Sequence, residues 1–181
     1  MKNKICITTQ IGDRGATRLF SGEEVSKNSL RIEAQGDLDE LGCVLGIARL
    51  HTRKKSVQKD ILALQRDLFI IGSELATTAL QSSQLPRRVD EDFLSVFEKK
   101  RDALHAVTRI PSGFVIAGAS VSSAWLDLAR AVSRRMERRV VTLFERKEMD
   151  NRFLLIWVNR ISDYLYLLAR FEEGKPILVK K

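Results

Sequence analysis

Arg130, Arg134, Glu137 and Arg138 recur at helical spacing within SSAWLDLARAVSRRMERRVVTLF, residues 122–144, and share one face of the helix this stretch predicts. Three guanidiniums on one face repel one another. The arrangement is easiest to hold where a strong anion such as a polyphosphate, or partner carboxylates, neutralise them, and Glu137 supplies only one such charge. A solvated surface face is the other reading of the same charges, and nothing inside the stretch decides between the two.

A second group lies near the N-terminus. TTQIGDRGAT, residues 8–17, sets Gly12 and Gly15 around Asp13 and Arg14, with Thr9 and Thr17 flanking. Such a turn can direct backbone N–H groups inward as an anion nest, with the hydroxyls as further donors. It has neither the GK[ST] ending of a Walker loop nor a GxGxxG pattern, and an ordinary glycine turn reads the same way. Lys27 is by itself a surface lysine. Asp39 is either a first-turn carboxylate, worth about 0.3–1 kcal/mol against its helix dipole, or a partner for Arg130 that holds two helices or two subunits at a set distance. Asn159 carries an amide suited to a nucleobase edge or a phosphate oxygen. His51 and His105 sit near helix ends with no base or metal set, and no Ser/His/Asp or Cys/His nucleophile arrangement can be assembled.

The elements that must position these groups are amphipathic helices. Ile32 to about His51 buries Leu38, Leu41, Leu45 and Ala48, with Asp37, Asp39 and Glu40 near the start. Gly42 and Gly46, on successive turns, predict the close approach of another backbone. Val57, Ile61, Leu64, Leu68, Ile71 and Leu75 hold the helical period through a second helix. Residues 77–89 form a connection, and a third helix runs from Asp90, its cap, to Ala106. GFVIAGASVSS, residues 113–123, places amides and hydroxyls at the start of the arginine helix, which extends to Lys147 and buries Ala129, Val132, Met136, Val140 and Leu143. The fifth, about Arg152 to Glu173, buries Leu154, Val158, Ile161, Leu165 and Leu168 and keeps Asn159, Asp163 and Arg170 on a polar side; Gly174 and Pro176 end it. Residues 1–30 read as an irregular arm with a short strand at Ile5–Thr8. The expectation is an all-α, five-helix up-and-down bundle, one domain over residues 1–181 with an arm (1–30) and a helical body (31–175).

With 181 residues, 44% hydrophobic and 30% charged, the chain can bury a core without metal or disulfide help. A net charge of +8 and a pI near 9.8 favour an anionic partner without naming it. Cys6 and Cys43 have neither metal-ligand nor disulfide spacing and read as reduced, partly buried thiols. With no leader-like or membrane-spanning run, the expected location is cytoplasmic, with no membrane partner.

The order of the segments is more informative than any one of them. ITTQIGDRGATRLFSGEEVSK, AQGDLDELGCVLGIAR, GFVIAGASVSSAWLDLARAVSRRMERRV and VNRISDYLYLLAR, taken together from Ile7 to Arg170, resemble the PduO-type ATP:cob(I)alamin adenosyltransferase family, and the RRxER helix followed by NRxSD is a specific pair. The resemblance implies a ferritin-like bundle assembled as a homotrimer, with ATP held between subunits, Mg²⁺ on its phosphates and no metal held by protein side chains. It implies transfer of the 5′-deoxyadenosyl group of ATP to cob(I)alamin, the second substrate, with release of triphosphate. An adenosylcobalamin-dependent enzyme would receive the product.

By similarity, Thr9, Gly12, Asp13, Gly15 and Thr17 would wrap the triphosphate and Lys27 would add a cation. Arg134 and Arg138 would reach ATP from a neighbouring subunit, with Glu137 and Asn159 orienting ribose or base. Arg130 would pair with Asp39 across the interface at the corrinoid edge, and Phe114 would crowd the lower face of cobalt. Gln10 and Ile11 stand where the family has a basic residue and a threonine, Gly42 where it has asparagine or serine, IAGAS with Ala117 where it has a Pro-Gly-Gly loop, and Asp127 where histidine is common. A lost charged hydrogen bond in the arm costs about 1–3 kcal/mol. An ATP-binding sensor or carrier of the same fold is therefore the alternative. A nucleic-acid binder rests on charge alone and finds no module to support it.

Overall fold

The computed structural model describes Thr8, Gln10 and residues 12–179. Within the segment expected to be irregular, residues 16–26 form a short hairpin, β1 (Ala16–Arg18) antiparallel to β2 (Glu24–Ser26), with Thr17 opposite Val25. Gly22 turns the chain between them at φ 96°, a value that an L side chain rarely adopts. Of the strand expected at Ile5–Thr8, residues 5–7 lie outside the described residues.

Helix α1 (Leu30–His51) starts earlier than the periodicity suggested, so its first-turn acid is Glu33. Asp37, Asp39 and Glu40 therefore stand well inside the helix, where the macrodipole no longer reaches them. Leu41, Leu45 and Ala48 are buried as expected, whereas Leu38 is only half-buried. Helix α2 (Lys55–Leu75) buries all six residues of its expected stripe. A short 3-10 helix, Ala79–Gln84, occupies the connection. Helix α3 (Glu91–Val107) is capped by Asp90, whose carboxylate accepts from Phe93 N at 2.8 Å. Strand β3 (Val115–Ile116) precedes α4 (Val121–Glu145); α5 (Arg152–Glu173) follows, and β4 (Ile177–Leu178) returns to pair antiparallel with β3.

Helix α4 packs between α1 and α5, α2 flanks α1, and α3 lies on α5. Ala129, Val132, Met136, Val140 and Leu143 form the buried side of α4, against a core that includes Trp157, Leu165 and Leu168 of α5. Phe97 joins α3 to α5 through Trp157 (centroids 5.3 Å apart) and, edge-on, Tyr164 (5.4 Å). Arg170, expected on the polar side of α5, is buried: its guanidinium donates to Asp127 Oδ2 at 2.7 Å and to Glu173 Oε2 at 3.0 Å. A guanidinium at that depth needs partner carboxylates, and the two carboxylates provide them.

One end of the bundle fixes the arm. Arg31, buried, donates to the carbonyls of Leu75 and Thr77 at 2.9 Å and to that of Glu148. Burial lowers its pKa from the usual guanidinium value. Glu74 accepts from Val89 N and from Asn151 Nδ2 at 2.7 Å, while Asn151 Oδ1 caps α5 through Phe153 N at 3.0 Å. The hairpin is fastened to this plate by Phe20 N to Ala76 O at 2.8 Å and Thr78 Oγ1 to Glu23 Oε1 at 3.1 Å.

Candidate functional site

The turn before β1 is built on Gln10, Gly12 and Gly15. Asp13 N donates to Gln10 O at 3.3 Å, Gly15 N to Gly12 O at 3.1 Å, and Lys27 N to Gly15 O at 2.9 Å. Gly15 needs its φ of 79° for this path, and Gln10 takes a φ of 60°, uncommon for a side chain of its kind. The loop is thus a real turn, but the Asp13 and Gly15 amides expected to face an anion are used inside it. Its cation comes instead from Lys27, the residue after β2. A Cβ on Gly12 would stand 2.5 Å from Lys27 Nζ, so the ammonium lies directly on the glycine. Thr17 is half-buried on β1, Asp13 is exposed, and Thr9 lies outside the described residues.

On α4 the arginines divide into two sets. Arg135 and Arg139 turn toward α1: Arg135 Nε lies 2.8 Å from Asp37 Oδ1 and Arg139 Nε 2.7 Å from Asp37 Oδ2, with Glu40 and Glu33 completing the two pairs. The hydrogen bond that Arg135 donates to Asp37 raises the Arg135 pKa. Arg134 and Arg138 are exposed, and among the described residues no carboxylate pairs with either. Arg138 donates to the Arg134 carbonyl at 2.9 Å. Between them Glu137 Oε1 accepts from Asn159 Nδ2 of α5 at 2.9 Å. The structure therefore brings together four residues that the sequence placed on two helices. Within one chain no hydrogen bond or ion pair joins Arg134 or Arg138 to residues 12–27.

Arg130 does not reach Asp39 in the single chain. Its Nε lies 3.7 Å from Asp127 Oδ1, and Asp39 is exposed on α1. Asp39 instead lies on the wall of a cavity of about 550 Å³ between α1 and α2, together with Phe20, Leu38, Gly42, Leu68 and Phe69. The lining is mostly apolar, and Phe20 and Phe69 are 74% and 82% exposed at its mouth. Gly42 and Gly46 face side chains here, Leu68 Cδ1 and Gln65 Nε2 at 3.8 and 3.4 Å from an added Cβ, and not the close backbone the sequence suggested. Cys43, expected partly buried, is exposed on the same wall. Phe114 projects from the loop before β3 at 86% exposure, its carbonyl accepting from Val179 N at 2.9 Å.

Sequence reasoning missed Asp37, Arg135, Arg139 and the aromatic mouth. The i,i+4 spacing of Arg135 and Arg139, and of Glu33 and Asp37, was a visible signal for a charge-matched helix pair. Among the described residues no three His, Cys, Asp or Glu side chains gather as a metal site, and no helix is long and apolar enough to cross a membrane.

Comparison with known proteins follows this geometry. The cobalamin adenosyltransferase family profile matches residues 7–172. A corrinoid adenosyltransferase of Citrobacter freundii is 36% identical over 174 residues, covering 94% of this chain and 96% of that protein. The corrinoid adenosyltransferase PduO of Salmonella typhimurium is 34% identical over 170 residues, and there the match covers 94% of this chain but 50% of the relative. A variant PduO-type ATP:corrinoid adenosyltransferase from Lactobacillus reuteri, complexed with cobalamin and ATP, superposes with a TM-score of 0.87 at 28% identity, covering 97% of this chain and 100% of that one. With the profile spanning nearly the whole sequence and the fold matched over 97% of the chain, the chain belongs to the cobalamin adenosyltransferase family.

Proposed function

We propose that this chain transfers the 5′-deoxyadenosyl group of ATP to cob(I)alamin, giving adenosylcobalamin and triphosphate. The observation that carries the reading is the division of arginines on α4: Arg135 and Arg139 are neutralised inside the chain, whereas Arg134 and Arg138 flank the Glu137–Asn159 pair with no carboxylate partner among the described residues. Two unmatched guanidiniums beside an amide and a carboxylate suit a nucleotide, phosphates on the cations and ribose or base on the polar pair.

The reaction needs no protein nucleophile, because the cobalt of cob(I)alamin supplies the electron pair. That pair forms the bond to C5′ of ATP while the C5′–O5′ bond breaks and its electrons leave on triphosphate. The protein must align the two and stabilise charge on the leaving group. Lys27, seated on Gly12, and Arg134 and Arg138 are the cations for that task. Mg²⁺ enters with the nucleotide, on its phosphates. The apolar cavity walled by Phe20, Leu68 and Phe69 suits a corrin edge, with Asp39 on its wall for an amide or a partner cation. Phe114 supplies an apolar surface that excludes water from the lower face of cobalt.

Because among the described residues no hydrogen bond or ion pair joins Arg134 or Arg138 to the arm, the reading has a neighbouring copy complete the site: the arm and Asp39 come from one subunit and Arg130, Arg134 and Arg138 from the next, in a homotrimer. The arm, residues 1–30, and the helical body, 31–175, act as one catalytic unit. Exposed, unpaired Cys43 suits a reducing, cytoplasmic setting, and an adenosylcobalamin-dependent enzyme takes the product.

The test is spectrophotometric. Loss of cob(I)alamin absorbance on adding ATP, with appearance of adenosylcobalamin, is the expected result; an unchanged spectrum with folded protein rejects the transfer. The arm favours one rival, an ATP-binding sensor or carrier, since Asp13 and Gly15 amides are engaged within the turn. Calorimetric binding of ATP without alkylation of cobalt selects that rival.

A further inference from the structure

The sequence RRMERR offers two adjacent pairs of arginines, 134 with 138 and 135 with 139, and a rotation of α4 by one residue, about 100°, would exchange their roles. The apolar stripe of α4, with Ala129, Met136, Val140 and Leu143 fully buried, opposes a full turn of this size but leaves a smaller roll undetermined. Asp37 is a sharper constraint. It is only 6% exposed; its Oδ1 accepts from Arg135 Nε at 2.8 Å, and its Oδ2 is ion-paired with Arg139 Nε 2.7 Å away. The two arginines stand one turn apart on α4, so a single carboxylate fixes both its roll and its height against α1. Glu33 and Glu40, one turn to either side of Asp37, bind the outer ends of the same two guanidiniums.

Three carboxylates against two guanidiniums also leave this patch with an excess negative charge, which discourages a polyphosphate from settling on the wrong pair. A partly buried ion pair is a poor source of net stability compared with apolar packing. Its value here is the choice of arginine pair.

We propose that Asp37 is a positioning residue for nucleotide binding: by holding Arg135 and Arg139 against α1, it fixes the roll of α4 that directs Arg134 and Arg138 outward to the triphosphate. This rests on the assignment of Arg134 and Arg138 to ATP. Asp37 touches neither substrate; it acts through α4.

The experiment measures ATP dissociation constants by calorimetry, with steady-state kinetics, for the wild-type protein, Asp37→Asn, Arg134→Ala and the two combined. Asp37→Asn is expected to weaken ATP binding about tenfold and to leave the KM for cob(I)alamin at saturating ATP within about twofold. In the Arg134→Ala background the same substitution is expected to change ATP affinity by less than about twofold, the non-additivity of residues acting through one another. The double variant Arg135→Lys, Arg139→Lys keeps both charges but not the planar Nε contacts. It is expected to reproduce the ATP defect, and it carries the test if Asp37→Asn does not fold. Equal losses in both backgrounds, a matching loss in cob(I)alamin KM, or unchanged ATP affinity in both Asp37→Asn and the lysine double variant overturns the proposal. A wild-type protein that fails to bind ATP strikes instead at the functional reading.

Discussion

Arg134 and Arg135 are neighbours in sequence and have opposite surroundings: Arg134 faces solvent, whereas Arg135 is paired with Asp37 and Glu40. Arg134→Ala is expected to lower kcat/KM for ATP by about a hundredfold, the scale of losing a charged contact to a developing anion, while the melting temperature stays put, since exposed substitutions usually change stability by less than about 0.5 kcal/mol. Thermal melting beside the cob(I)alamin assay checks both halves. Gly12→Ala probes the other cation. The new Cβ would meet Lys27 Nζ at 2.5 Å and Cε at 2.8 Å, so the flexible lysine end must move off its seat. The ATP KM should rise several-fold with the fold intact, and an unchanged KM would detach Lys27 from the triphosphate. At this scale the sequence was uneven. The grouping of Arg134, Glu137 and Arg138 followed from helical spacing alone. The position of Lys27 did not, because only the β1–β2 hairpin returns it to Gly12, and Arg170 read as surface because its partners Asp127 and Glu173 are tertiary neighbours that periodicity does not reveal.

Helices were legible because period and caps agree. Asp90 caps α3, and Asn151 caps α5. The segment before α4 was less so. Its serines, expected as hydroxyls near the helix start, form a capping box: Ser120 Oγ accepts from Ser123 N at 3.1 Å and Ser123 Oγ from Ser120 N at 3.0 Å. Ser120→Ala should therefore destabilise the protein by about 1 kcal/mol, read as a shift of the urea midpoint at constant slope. Asp67 of α2, which shares a cavity with Arg87 and Lys100, adds a pH effect. Burial holds the Asp67 carboxyl above its ordinary range, although Lys100 and Arg87 pull it back. The folded chain then binds that proton more tightly than the unfolded chain, whose aspartate titrates near about 3.9. The stabilising contribution is complete below that value and is lost as pH rises through the folded pKa. Asp67→Asn should raise the melting temperature at pH 8 and leave it nearly unchanged at pH 4. A gain confined to pH 4 would mean that Asp67 is held as a stabilising anion.

At the scale of the whole molecule, the five-helix order and the single core were readable from apolar stripes, whereas the pairing of β3 with β4 was not, since two-residue strands carry no periodic signal. The candidate site was readable only as parts, and the structure gives the reason. The arm is fastened to the end of α2, next to the apolar cavity, while Arg134, Arg138 and the Glu137–Asn159 pair are carried by α4 and α5 without a bond to residues 12–27. On the proposed function these two half-sites become whole sites when copies meet head to tail, and heterologous contacts of that kind form a ring when the rotation closes. Light scattering should give three times the 20.6 kDa chain mass. A sharper test uses two inactive variants, Lys27→Ala in the arm half and Arg134→Ala in the helix half, co-expressed in equal amounts with different tags. If each site draws one half from each of two subunits, random mixing restores both intact halves at about one quarter of sites. Activity near that fraction of wild type is expected in the mixed assembly, from chains that are inactive alone. Activity no higher than that of the separate variants would mean that each chain builds its site by itself, and the arm would then have to reach the arginine face of its own α4.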